Sequence, residues 1–355
     1  MSWSDVNTWG KRALAASTVA ALLAGGFGGY VWVAQQSPGA RLAEACSGML
    51  PVDEVLALTG TTASGFGGDD LELSSTTYDH TPGVAEPDGL PASCTANYVR
   101  VQIETVSGSS EPIVTGDSSG PDEPLPVPLP ADWSGFLVSE DEGDSLGASV
   151  LLDCPNWDRR QGSGILVNVE TGGYSSVLRD TARVATATAE RAARATGCEA
   201  EPGGRIGEID SPDATVAHLR AHRAEGTCKG VASHLWVLET AARTAPVESC
   251  VLEGSLALRS SYGPYVRNAG EQRYGGWGAA TGATSTAVWG SAACGGALGD
   301  AVYSVHPVED SGRSFADTPL TRSEHADLRT FAEASAERHG CAEPDLPAEP
   351  SEPAG

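Results

Sequence analysis

The longest run of hydrophobic positions covers residues 13–34, which contain no charged side chain and directly follow Lys11 and Arg12. A helix of this length rises about 33 Å, which is enough to cross a hydrocarbon core of about 30 Å. Basic residues beside a membrane span favour the cytoplasmic side. The pattern therefore predicts a cytoplasmic N-terminus at 1–12, a single transmembrane helix at 13–34 and an extracytoplasmic chain beyond it.

A cleaved signal peptide is the alternative interpretation of the same run. The apolar part of a signal peptide usually covers about 7–15 residues, which is fewer than here. Trp32-Val33-Ala34 places a bulky side chain where a small one is needed for cleavage, and Ala43-Glu44-Ala45 lies well past the run. A retained anchor is therefore the favoured prediction.

Beyond the anchor, helical and alternating patterns follow one another in the same order twice, and each adjoins a cysteine. In each half, the first cysteine precedes a helical pattern, the second precedes an alternating strand, the third ends a strand and the fourth ends a long helix. These cysteines are Cys46, Cys94, Cys154 and Cys198 in the first half, and Cys228, Cys250, Cys294 and Cys341 in the second. The order predicts an α+β fold with two tandem sheet-plus-helix repeats at 41–200 and 212–342, followed by a disordered, acidic, proline-rich tail at 343–355.

All eight cysteines follow the anchor, and their even number predicts a disulfide framework. The CxxC and CxxH spacings of a zinc site are missing. Eight cysteines permit 105 pairings. The repeat favours the simplest one, which joins first with second and third with fourth in each half: Cys46–Cys94, Cys154–Cys198, Cys228–Cys250 and Cys294–Cys341.

The second half also contains a helical pattern after Cys228. Val231, Leu235, Leu238 and Ala242 recur at the spacing of one helix face. This spacing predicts that the second repeat, like the first, begins with a helix.

Another helix is predicted from Ser211, a good N-cap residue followed by Pro212 at the first helical position. It carries His218 and His222 four positions apart, a spacing that allows two imidazoles to bind one metal ion. No Glu follows His218 directly, as a zinc protease motif requires. A solvated polar helix face is therefore the favoured interpretation.

The charge is strongly negative, with 22 Lys and Arg against 47 Asp and Glu and a formal net charge of −25. A nucleic-acid partner is excluded on this ground, because a phosphate backbone would be repelled. Between Leu42 and Asp158 there are 21 acidic residues and one basic, Arg100, a net of −20. Such a field attracts cations or a basic partner surface, although acidity also keeps an exported domain soluble.

The sequence Gly116-Asp117-Ser118-Ser119-Gly120-Pro121 resembles the nucleophile motif of chymotrypsin-like proteases. A nucleophilic serine needs a histidine base, and the upstream His80 lacks the sequence context of those proteases. The acidic clusters at 69–70 and 140–144 depart from the calcium-loop pattern. We therefore predict no catalytic residue, metal or cofactor, with an exported serine hydrolase as the alternative.

An aromatic and basic cluster in a Gly-rich stretch is the candidate binding surface. Its members are Tyr262, Tyr265, Arg267, Arg273, Tyr274 and Trp277. Aromatic rings flanked by Arg stack on sugars or bind a partner surface, although in a hairpin they more often pack on the sheet.

The segment from Cys46 through Met49-Leu50-Pro51-Val52-Asp53-Glu54-Val55 to Gly60 precedes a cysteine-led strand and a helix tied by a C-terminal cysteine. This arrangement resembles actinobacterial membrane-tethered envelope lipoproteins and related extracytoplasmic domains of unknown function, mainly over the first repeat and without their lipobox. The resemblance implies a sheet with helices packed on it. We expect a non-catalytic binding or sensing protein of the bacterial cell envelope, with an envelope protein or wall component as partner. A structural envelope protein is the remaining alternative.

Overall fold

A computed structural model describes residues 37–60, 72–76, 93–107, 114, 125–140, 145–158, 162–172, 178–209, 216–266, 280–308 and 311–349. The predicted anchor at 13–34, the serine motif at 116–121 and the acidic pair at 69–70 lie outside these residues. Within the described part of the chain, no helix is long and apolar enough to cross a membrane.

The first unit is a seven-stranded antiparallel sheet with two short helices before it and a long helix after it. Its elements are α1 (Pro38–Glu44), a 3₁₀ turn (Ala45–Gly48), α2 (Val52–Thr59), β1 (Leu73–Thr76), β2 (Ser93–Ala96), β3 (Val99–Val106), β4 (Val127–Pro128), β5 (Gly135–Glu140), β6 (Ser145–Asp153), β7 (Gly164–Gly172) and α3 (Leu178–Thr196). The strand order is β1-β2-β3-β7-β6-β5-β4.

The second unit is also a seven-stranded antiparallel sheet followed by a long helix. Its elements are β8 (Ala217–Arg220), a 3₁₀ turn (Ala221–Arg223), β9 (Trp236–Glu239), β10 (Val247–Leu252), β11 (Leu256–Tyr262), β12 (Gly282–Ala283), β13 (Val288–Ala293), a 3₁₀ turn (Gly296–Leu298), β14 (Asp300–Pro307) and α4 (Arg322–His339). The strand order is β12-β13-β14-β11-β10-β9-β8.

The two sheets share an order of six strands. The run β1-β2-β3-β7-β6-β5 in the first sheet corresponds to β9-β10-β11-β14-β13-β12 in the second. The seventh strand lies at opposite edges, β4 beside β5 and β8 beside β9. The described residues thus form two similar sheet units, as the repeated pattern of cysteines predicts.

The four predicted disulfides are all present, and no cysteine is free. The first bridge of each unit joins a segment that precedes the six shared strands to the second of those strands. The second bridge joins the end of a strand to the residue after the closing helix. Four disulfides indicate an oxidising, extracytoplasmic location.

Each closing helix ends at a glycine that directly precedes a bridged cysteine. Gly197 has a φ of 66° and Gly340 a φ of 65°, the left-handed conformation that glycine adopts without a Cβ penalty. The N–H of Cys198 donates to the carbonyl of Ala193 at 2.9 Å. The closing helix of the second unit ends with the same hydrogen-bond pattern. This local geometry brings the last cysteine of each unit to its sheet.

Side chains alternate between the two faces along each strand, so that one face of each sheet packs against its long helix. In β3, Val101 and Ile103 are buried and pack with Ala185 and Ala189 of α3, whereas Arg100 points to the opposite face. Burying apolar surface in this way stabilises the unit by roughly 25 cal/mol per Å².

The other faces of the two sheets pack on each other, so that both long helices lie on the outside. Leu151 of the first sheet shares a buried cluster with Val247 of the second. Tyr265, just beyond β11, packs edge-on against Phe136 with ring centroids 5.5 Å apart, and its hydroxyl hydrogen-bonds Ser149. The two repeats therefore have a common buried cluster between their sheets, in addition to the same order of strands and cysteines.

The predicted helix after Cys228 is wrong. Gly230 has a φ of 88°, which breaks the helix, and Leu238 lies in strand β9. The buried carboxylate of Glu239 accepts the backbone N–H groups of Glu225, Gly226 and Cys228 at 2.9–3.1 Å. Side-chain oxygens thus satisfy the backbone N–H groups of this loop in the place of backbone carbonyls.

The predicted helix carrying both histidines is also wrong. His218 lies in β8, and His222 lies in the 3₁₀ turn that follows. Pairing of residues 217–220 with β9 outweighs the local helical signals, because it completes the edge of the second sheet.

The tail also differs from the expectation of disorder as far as Glu349. Ser291 in β13 and Asp345 exchange both backbone hydrogen bonds, at 3.1 and 2.9 Å. The disulfide from Cys294 to Cys341 holds the start of the tail at this sheet edge. The rest of the tail lies outside the described residues.

Candidate functional site

An exposed cluster at the edge of the second sheet combines aromatic, apolar and basic side chains. We call it the edge patch and define it as His218, Arg220, Arg223, Leu235 and Trp236. Trp236 is 36% exposed and Leu235 is 59% exposed. Large apolar side chains are rarely left in water together with uncompensated cations, so the cluster is a candidate for recognition.

The antiparallel register of β8 and β9 assembles the edge patch. Arg220 lies directly opposite Trp236, and its guanidinium carbon is 5.2 Å from the centre of the indole ring. The imidazole of His218 lies 5.4 Å from the same ring, and its Nε2 is 3.3 Å from a carboxylate oxygen of Glu253. A cation held over an indole ring is pre-oriented without losing its outward N–H donors.

The edge patch carries local positive charge in a chain of net charge −25. Residues 217–223 contain two Arg and two His and no acidic residue. Within the described residues, neither Arg220 nor Arg223 forms an ion pair, and both are exposed. These two guanidinium groups are therefore available to a carboxylate or phosphate of a partner.

A concave groove of about 460 Å³ lies on the first unit between α2, α3 and the segment at 203–206. We call it the acidic groove; its charged lining residues are Asp53, Glu54, Asp180, Arg183, Glu190 and Arg205. Its volume lies within the range of roughly 300–1,000 Å³ that is usual for ligand clefts.

Internal contacts neutralise part of the acidic groove. Asp180 lies 3.8 Å from the guanidinium of Arg183, and Glu190 lies 3.4 Å from that of Arg194. Asp53 and Glu54, in the first turn of α2, form no ion pair with any described residue. Arg205, also in the lining, is exposed and has no ion pair among the described residues either, so the unpaired charges of the groove are these two carboxylates and one guanidinium.

The predicted aromatic surface is corrected for two of its members. Tyr262 and Tyr265 are 0% and 2% exposed, so neither ring is available to a ligand at the surface. Burial is the main cause that raises the pKa of both phenols above its usual range. Alternation in β11 turns Tyr262 toward α4, and Tyr265 is held between the sheets. The other predicted members, Arg267, Arg273, Tyr274 and Trp277, lie outside the described residues.

Tyr262 belongs to a buried polar network that fastens α4 to its sheet. The hydroxyl of Ser335 lies 2.6 Å from that of Tyr262 and 2.6 Å from a carboxylate oxygen of Glu248. Arg338 donates to the same carboxylate at 2.7 Å. Burial is also the main cause that raises the pKa of Tyr303, to about 12. These groups satisfy one another, so their role is structural.

The remaining sequence candidates do not converge on a site. The part of the chain that the structure describes contains no group of three or more His, Cys, Asp or Glu side chains able to hold a metal. The acidic stretch at 141–144 and Ser118 lie outside that part, so the predictions for them stay predictions.

Sequence reasoning missed the edge patch because it assigned both of its segments to helices. The usable signal was the alternation in Trp236-Val237-Leu238-Glu239, where Val237 and Glu239 are buried and Trp236 is exposed. Comparisons with models of protein families, with curated proteins and with solved structures find no match for this chain.

Proposed function

We propose that the chain is a membrane-anchored, extracytoplasmic binding or sensing protein of the bacterial cell envelope, that it is non-catalytic, and that the edge patch is its binding site. The predicted anchor at 13–34 and the four disulfides support the location.

The exposure of Trp236 beside an unpaired Arg220 carries the binding part of the proposal. Trp and Arg are the residue types that most often dominate binding energy at interfaces. Stacking and charge pairing recognise a partner without requiring chemistry on it. The edge patch therefore fits a protein that holds or senses an envelope component.

The test is retention of the purified full chain, in detergent micelles, on washed cell-envelope fractions from the native host. Trp236→Ala and Arg220→Ala are each expected to weaken retention by about tenfold or more, as loss of a hot spot does. Arg243→Ala is the matched control, since Arg243 is an exposed arginine of the second unit that does not belong to the edge patch. Retention that is absent, or that is equal for all variants, would overturn the proposal.

A further inference from the structure

We infer that the partner of the edge patch is a second copy of this chain, whose acidic groove receives the patch. This inference rests on the proposed function and names the partner of the same site. The contact it describes joins the second unit of one copy to the first unit of the next.

Charge complementarity between the two surfaces is the first support. The edge patch presents Arg220 and Arg223, and the acidic groove presents Asp53 and Glu54, all without ion pairs among the described residues. Arg pairs with carboxylates through two parallel hydrogen bonds, which gives geometric specificity as well as attraction. The two arginines of the patch and the two carboxylates of the groove are therefore opposite in sign and equal in number.

The distribution of charge along the chain is the second support. Residues 42–158 carry a net charge of −20, whereas the exposed stretch 217–223 is purely basic. At physiological salt, interactions between charges are screened beyond about 8 Å. The repulsion between two acidic chains is therefore weak at a distance, whereas the attraction between the basic patch and nearby carboxylates persists at contact. A head-to-tail approach places the basic stretch nearest the acidic unit.

Shape is the third support. The edge patch lies on the terminal strand β8 and at the start of its neighbour β9, where Trp236 and Leu235 are exposed. The acidic groove is a concavity between two helices, with the exposed Ala57 and the buried Trp133 among its lining residues. Apolar side chains at the centre of a charged rim are the usual anatomy of a specific interface.

The contact is heterologous, because it uses two different surfaces of the chain. Such contacts generate closed rings or open chains of copies. Anchoring at 13–34 would confine the copies to one membrane plane and raise their effective concentration. The structural consequence is an assembly along the envelope surface.

The test measures the assembly of the full chain in detergent micelles by sedimentation at concentrations up to ~100 μM, where weak interfaces are populated. The wild-type chain is expected to form oligomers. The patch variant Arg220→Glu/Arg223→Glu and the groove variant Asp53→Lys/Glu54→Lys are each expected to be monomeric, because like charges then face each other.

Mixing the two variants discriminates a contact between these surfaces from loss of folding. In the mixture, the intact patch of one variant meets the intact groove of the other, and the reversed patch meets the reversed groove. The mixture is therefore expected to form oligomers like those of the wild-type chain, whereas each variant alone stays monomeric. A quadruple variant carrying all four reversals is expected to assemble again. A monomeric wild-type chain, or a mixture that stays monomeric, would overturn the inference.

Envelope fractions from cells that lack this chain separate this inference from the proposed function. Loss of retention on those fractions is expected if the partner is a second copy. Retention that persists there, depends on Trp236 and accompanies a monomeric protein would overturn the inference and leave the proposed function standing.

Discussion

The ion pair between Arg313 and Glu324 shows at the residue scale how one carboxylate stabilises the second unit. Two guanidinium nitrogens of Arg313 donate to the Glu324 oxygens at 2.6 and 2.8 Å, and the N–H of Thr321 donates at 2.7 Å. Burial alone would raise the pKa of Glu324, but the hydrogen bonds from Arg313 and Thr321 outweigh it and lower the pKa to about 2. The carboxylate closes the capping box at the start of α4.

We predict that Glu324→Gln lowers the free energy of unfolding by about 1–3 kcal/mol at pH 7, because it removes the charged partner of Arg313, whereas a glutamine side chain can still accept the Thr321 N–H. The carboxylate stabilises the fold fully above its unfolded pKa of about 4.3 and loses this effect as the pH falls toward 2. The difference from wild type should therefore shrink over that interval. Urea unfolding at several pH values checks this, with the exposed Glu333→Gln as control. A difference that is constant with pH would contradict it.

At the element scale, helices and strands with regular apolar periodicity could be predicted from the sequence, whereas the loop at Cys228 and the edge strand β8 could not. The long helices and the strands beside cysteines follow from apolar periodicity, and their repeated order gives the disulfide pairing. The loop around Cys228 is set by Glu239 and Asp327, whose carboxylates accept N–H groups from residues distant in sequence. The edge strand β8 exists because β9 pairs with it. Local spacing contains neither of these long-range contacts, so the alternation at 236–239 is the one local signal that marks the edge patch.

The disulfide from Cys294 to Cys341 is predicted to hold both the end of α4 and the following segment on the sheet. Replacing both cysteines by Ser should lower the free energy of unfolding by about 2–4 kcal/mol. It should also speed amide exchange at Ser291 and Asp345, whose backbone pairing the bridge positions. Exchange followed by mass spectrometry checks this. The Cys228→Ser/Cys250→Ser variant is the control, and equal exchange in both variants would contradict the assignment.

At the scale of the whole molecule, duplication explains both the fold and its asymmetry. The two units share six strands, their disulfide positions and a glycine-ended closing helix. They differ in charge, in the helix α2 that precedes the first sheet and in the edge that carries the seventh strand. The acidic groove lies against α2 of the first unit, and the edge patch lies on β8 and β9 of the second.

A peptide map of the unreduced protein from the envelope fraction shows whether the exported chain folds as two units, each closed by its own pair of disulfides. Peptides linked through Cys46–Cys94, Cys154–Cys198, Cys228–Cys250 and Cys294–Cys341 are expected, with no free thiol. Bridges between the units would contradict the duplication. Free thiols throughout would contradict the extracytoplasmic location.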